Sequence, residues 1–215
     1  MISTALRRGA LAVACALALS ACGSDEPTGS SASTPSSSAP APVESSAAPA
    51  SGDPFGPACG ALPAEGEGSV AGMVDDPVAT AAANNPVLSM LVQAVTAANL
   101  GQSLNSQADV TVLAPANPAF EAVPPEALQA LLADSAQLTA VLTHHVIAGR
   151  LTPEQLAGTH TTLNNDRVTI EGQGEMFTIP GEGTVTSTEA TVICGNVQTA
   201  NATVYIIDQV LAPAQ

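Results

Sequence analysis

Three histidines, four cysteines and a scatter of aspartates are the groups in this 215-residue chain whose chemistry goes beyond packing. His144 and His145 are adjacent, so a strand would send their rings to opposite faces and a helix would set them about 100° apart. Neither arrangement offers both rings to one metal. His160 has no partner at a ligand spacing, and no HExxH or Cys/His cluster occurs. Gly172, Gln173 and Gly174 lie between β-type runs and read as a hairpin turn, not a phosphate cradle. No nucleophile elbow or P-loop is present. Asp109, Asp166 and Asp208 have no partner that sequence identifies, and each reads as a turn or surface residue. No catalytic, cofactor-binding or metal residue is therefore expected. An enzyme built on His145 and a neighbouring acid is the weaker reading.

The cysteines say more. Residues 1–21 read as a secretory signal, with Arg7 and Arg8 ahead of a short apolar run. That run is about half the length a bilayer requires. It ends in Leu19-Ser20-Ala21-Cys22, which resembles a bacterial lipobox and makes Cys22 the expected lipid-attachment site; the competing reading is an ordinary signal with a chance Cys. Cys15 leaves with the signal, so Cys59 and Cys194 remain, and in an exported chain they most simply form one disulfide. The loop-entropy model assigns such a bond, closing about 135 residues, at most roughly 5 kcal/mol. A redox-active pair would need a CxxC spacing, which is missing.

Residues 22–57 are rich in Ser, Ala and Pro and read as a lipid-anchored, disordered tether. As a coil it would reach roughly 30–36 Å. O-glycosylation of this stalk stays open, as does the export route. The formal charge is −15, with no Lys and only four Arg, two of them in the leader. Nucleic acid and anionic surfaces would repel such a chain. Asn201-Ala202-Thr203 matches a eukaryotic glycosylation acceptor and is discounted beside a bacterial lipobox.

The folded domain, residues 58–215, places helices first and strands later. Asp76-Pro77, Asn85-Pro86 and Asn117-Pro118 each read as a cap followed by Pro at a helix start. The first opens a short helix over 78–83. The second opens one to about residue 98, with Val87, Leu88, Leu91, Val92 and Val95 on one stripe. Further helices are expected over 126–133 and from Leu138 to Leu142, and Thr152 with Gln155 fits a capping box. Val110, Val112 and Leu113 suit a buried strand. Short β-type runs follow at 168–170, 177–179, 185–186, 191–193, 197–199 and 204–207, separated by turn residues that include Gly195-Asn196. The class is α+β.

Three blocks carry a family resemblance: TVLAPANPAF at 111–120, LTHHVIAG at 142–149 and ATVYIIDQVLAP at 202–213. In this order and over one domain length they resemble the signatures of fasciclin-like domains, as in the secreted and lipid-anchored fasciclin antigens of mycobacteria. The resemblance implies a compact β-sandwich or wedge flanked by short helices. It also implies a non-enzymatic adhesion module, expected to be monomeric, binding an envelope, matrix or host-surface protein or glycan. His144 stands where the family usually has Tyr, which weakens any carry-over of adhesion chemistry to that position. His145 matches the family His and is expected to hydrogen-bond the core. Val112, Phe120, Leu142, Tyr205 and Ile207 are the expected core. Thr143, His144, His145, Val146 and Ile147 form the candidate interaction segment. The alternative function is a carrier of a small apolar ligand or lipid, which would need an apolar cavity.

Overall fold

The computed structural model describes residues 52–213. The signal, Cys22 and most of the tether lie outside the described residues. Strands β1 (Val110–Pro115) and β7 (Ala202–Ile207) run side by side and parallel, and every residue of both is buried. Burial on both faces explains why each reads as a nearly continuous run of apolar and β-branched residues, broken in polarity only by Thr111 and Thr203, rather than an alternation. In β7, Val204 and Ile206 face the helices, while Tyr205 and Ile207 face the other core.

The remaining strands are antiparallel to their neighbours: β2 (Val146–Ala148), β3 (Gly158–Thr161), β4 (Arg167–Gln173), β5 (Met176–Ile179) and β6 (Ala190–Gln198), in the order β2-β1-β7-β6-β5-β4-β3. The two ends of this sheet then meet. Ile147 bridges Thr162, and the Leu163 N–H donates to the Val146 carbonyl at 2.8 Å. The sheet thus curls into a nearly closed, barrel-like wedge. Its interior holds Phe55, Phe177 and Tyr205, with ring centroids 5.9 and 6.4 Å from Phe55.

Short helices cover the outer face of β1 and β7: α1 (Val70–Met73), α2 (Val78–Ala83), α3 (Ser89–Ala97), α4 (Gly101–Ser106), α5 (Asn117–Glu121), α6 (Pro125–Ala133) and α7 (Ser135–His144), with α8 (Pro153–Leu156) after β2. Most are too short to be stable alone, so tertiary packing sustains them. The Thr152 capping box forms, and Asn85 accepts the Val87 N–H. The α+β class holds.

Several local expectations fail for physical reasons. Asn117 does not cap its own helix; its Oδ1 accepts the Met90 N–H at 3.0 Å, and its Nδ2 donates to the Pro86 carbonyl at 2.9 Å. It caps α3 from a distance. Asp76 likewise accepts from Asn84, and the α2 N-terminus is capped from elsewhere. Residues 185–186 form no strand. Gly195 and Asn196 are not a turn but part of an irregular stretch inside β6, where the pairing register shifts on either side of Cys194. Bulging of this kind re-aims side chains. Cys194 here faces the helix-side core and bonds Cys59. β3 was not anticipated, because its sequence, GTHT, carries no apolar run.

The domain boundary also moves. Phe55, assigned to the tether by composition, is buried, and the backbones of Phe55 and Gly195 bond each other at 3.2 and 2.8 Å. A Cβ at Gly195 would lie 2.4 Å from the Phe55 ring, so Gly is required there. Gly52 is tied in as well, its carbonyl accepting from Asn196 Nδ2 at 2.8 Å. The folded unit therefore includes residues from at least Gly52.

Candidate functional site

The segment proposed for interaction is mostly interior. His144, His145 and Val146 are 2% exposed and Ile147 1%, while Thr143 is half-buried with its hydroxyl donating to the Thr139 carbonyl. The cause is topological. His144 ends α7, His145 turns the chain, and Val146 and Ile147 enter β2 against β1, one facing each core. These five residues do not form a binding surface.

What they form is a polar lock. The His145 Nδ1–H donates to the Val141 carbonyl at 2.7 Å, and Nε2 accepts the Leu211 N–H at 3.0 Å. One nitrogen donating and the other accepting fixes a neutral imidazole in one tautomer. Burial pushes its pKa down to about 4, with His144 adding repulsion and the Val141 bond opposing the shift. The ring joins α7, which leads into one signature block, to Leu211 within another.

His144 is paired too, which sequence did not anticipate: its Nδ1 lies 2.7 Å from Asp166 Oδ1. Thr162 donates to the same oxygen, and Asn164 to the other at 2.9 Å. Burial would raise the Asp166 pKa, but the bonds from Thr162, Asn164 and His144 outweigh it and hold the carboxyl below its usual range. This network knots the 162–166 turn to the end of α7. Asp109 lies 3.6 Å from Arg150 Nε, and Asp208 accepts the Thr191 N–H at 2.6 Å, so all three aspartates have partners. His160 Nε2 sits 2.9 Å from the Leu156 carbonyl. Arg150 also donates to Gln198 Oε1 and to the carbonyls of Thr199 and Ala200. No group of three or more His, Cys, Asp or Glu suited to a metal occurs among the described residues.

Val112, Phe120, Leu142, Tyr205 and Ile207 are all buried. The Tyr205 hydroxyl donates to the Leu151 carbonyl at 3.0 Å, and burial raises its pKa.

The feature that sequence missed is a cavity of about 320 Å³ between α2, α3 and α4 and the outer face of β1 and β7. Its walls include Leu91, Val95, Leu104, Val112, Val204 and Ile206, and no charged side chain lines it. Asn201 holds this wall in place. Its Oδ1 accepts the Val78 N–H at 2.8 Å, starting α2, and its Nδ2 donates to the carbonyls of Leu104 and Gln107 at 2.8 and 2.7 Å, ending α4. Both amide protons are engaged, which leaves no place for a glycan on Asn201. No helix among the described residues is long and apolar enough to cross a membrane.

Comparison with known proteins agrees with this architecture. The family model for the Fasciclin domain matches residues 86–213. The chain is 39% identical over 226 residues to the cell surface glycolipoprotein MPB83 of Mycobacterium bovis, with 99% of each covered. It is 43% identical over 172 residues to the immunogenic protein MPB70 of the same species, covering 76% of this chain and 84% of that one. Protein sll1483 of Synechocystis is 34% identical over 134 residues, covering 61% and 71%. Among solved structures, the FAS1 domain pair of the insect cell adhesion molecule Fasciclin I superposes with a TM-score of 0.55 at 16% identity, over 67% of this chain and 52% of that one. That likeness is one of fold. Signature blocks, curled sheet and full-length relatives agree: the chain belongs to the fasciclin-domain family.

Proposed function

We propose that this protein is a lipid-anchored, extracytoplasmic surface module that binds a partner without catalysis. The observation that carries this reading is the extent of the alignment with MPB83. It covers 99% of both chains and so takes in the leader, Cys22 and the tether as well as the domain. A relative named a cell surface glycolipoprotein, matched from end to end, supports the lipobox reading of Cys22 and a membrane-held location. The polar groups of the domain support the non-catalytic reading. Both ring nitrogens of His145 are committed to backbone, and His144 is bound up with Asp166.

The partner is a protein or glycan of the envelope, the matrix or a host surface, met by the outer face of the domain. Strand addition is disfavoured, because the meeting of β2 with the chain after β3 leaves little edge to extend. Arg150 and Arg167 are the only cations among the described residues, against many acids. Association with a basic partner would accordingly be steered and salt-dependent.

The test is binding of the exported chain carrying Cys22→Ser to envelope fractions, matrix proteins and host cells. Saturable binding to one of these, weakened by salt, is expected. Absence of saturable binding to all three would overturn the reading. Turnover of a hydrolysable or redox substrate, lost in His145→Ala, would replace it with an enzyme.

A further inference from the structure

We propose that the cavity beneath α2, α3 and α4 is a binding site for one aliphatic chain, with its polar end left at the mouth. This goes beyond the surface reading and does not depend on it. The cavity follows from how the chain spends its bulky residues. There are three Phe, one Tyr and no Trp. Phe55, Phe177 and Tyr205 fill the interior of the curled sheet, and Phe120 is buried on α5, outside the cavity. The layer between the helices and the sheet is left to Ala, Val and Leu. Over the cavity lies α2, whose sequence VATAAA presents little more than methyl groups. Small residues on one wall facing β-branched residues on the other leave unfilled volume.

The lining chooses the ligand. A methylene occupies about the share of a water, ~30 Å³, so the space takes a chain of roughly ten carbons. The wall is largely aliphatic; its one ring, His145, has both nitrogens bonded to backbone, and the buried Thr199 hydroxyl is bonded to the Ala202 backbone, so no polar group inside solicits a hydrogen bond. Aromatic ligands find no ring to stack on, and water finds no partners, so the cavity is dry and apolar. The other polar groups lie at its edge. Thr80 and Thr96 are exposed, and Asn105 is half-buried, with its Oδ1 accepting the Ala79 N–H and its Nδ2 donating to Thr80 Oγ1. With no cation in the lining to hold an anionic head, the head stays in solvent.

Both a free single-chain amphiphile and a chain of a membrane lipid have this chemistry. The experiment uses the exported Cys22→Ser chain, which avoids detergent. It is titrated with 1-decanol while the methyl resonances of Leu91, Val112 and Val204 are followed, and separately exposed to phosphatidylcholine vesicles and analysed for extracted lipid. Saturable shifts confined to these residues are expected, together with a raised Tm. Decanol uptake alone assigns a free amphiphile, and lipid extraction assigns a membrane lipid. Ala81→Met and Leu91→Phe fill the space from opposite sides. Either should weaken decanol binding by roughly tenfold or more, the effect of losing room for about two methylenes, while keeping the methyl spectrum of a folded protein. If neither decanol nor lipid is taken up, or if uptake is unchanged in a folded filled variant, the site does not exist. Partner binding by the filled variants, measured alongside, keeps the surface reading separable.

Discussion

At the scale of single residues, His145 is the position where burial, hydrogen bonding and titration meet. A neutral imidazole satisfies one carbonyl and one N–H; an imidazolium would put a second N–H against the Leu211 N–H. The folded pKa of about 4 lies below the ordinary 6.5. The unfolded chain therefore binds the proton first as pH falls. The stability this ring contributes is complete above about pH 6.5 and is lost progressively down to about pH 4, by at most ~3 kcal/mol. Asp166, also depressed, acts in the same direction at lower pH, since its stabilisation is lost as the carboxyl protonates. Urea denaturation at steps from pH 7 to 4.5 should show stability declining through the window, and His145→Gln should decline less. A wild-type midpoint that stays flat would mean that the ring is hydrated and titrates normally. Sequence marked His145 as a core hydrogen-bonding residue, but not its carbonyl or its amide. Those partners lie 4 and 66 residues away and are brought together only by the fold. The same limit explains the wrong surface assignment of residues 143–147. His144 and His145 are each buried against a specific partner that their adjacency in sequence does not reveal.

At the scale of elements, the short helices depend on side chains supplied from elsewhere. Asn201 is the clearest instance, capping the start of α2 and the end of α4 from the turn between β6 and β7. Asn201→Ala should cost about 2 kcal/mol, because a lost cap is compounded by two carbonyls left without a donor. Hydrogen exchange should speed up most in 78–83 and 101–106. Uniform acceleration across the sheet would instead mean that the asparagine stabilises the fold as a whole. This dependence also sets what sequence could reveal. The periodic stripe of α3 and the largely apolar, β-branched runs of β1 and β7 were legible, since their pattern is dictated by the faces they bury. Caps were legible where they are local, as at Thr152 and Asn85, and misread at Asn117, whose preference for a cap was real but was met by another helix. The cavity left no local pattern at all. It is a shortage of volume, arising from where four aromatic residues went.

At the scale of the whole molecule, anchor, tether and domain form one physical proposition. The domain is strongly acidic, and an anionic bilayer surface would repel it rather than hold it by charge. On the proposed reading, retention at the membrane comes from a covalent lipid on Cys22, since Cys59 is bonded to Cys194. Cys22→Ser should accordingly move the protein from the membrane fraction to the culture medium without altering the domain, whose disulfide and core begin more than thirty residues further on. The measurement is fractionation of expressing cells, with free-thiol labelling of the released chain. Full release with no reactive thiol at Cys59 or Cys194 is expected. Retention of the Ser variant in washed membranes would place the anchor elsewhere, and a labelled pair would mean that the domain was released unstapled. The folded unit starts at least as early as Gly52, earlier than the residue 58 that composition alone implied.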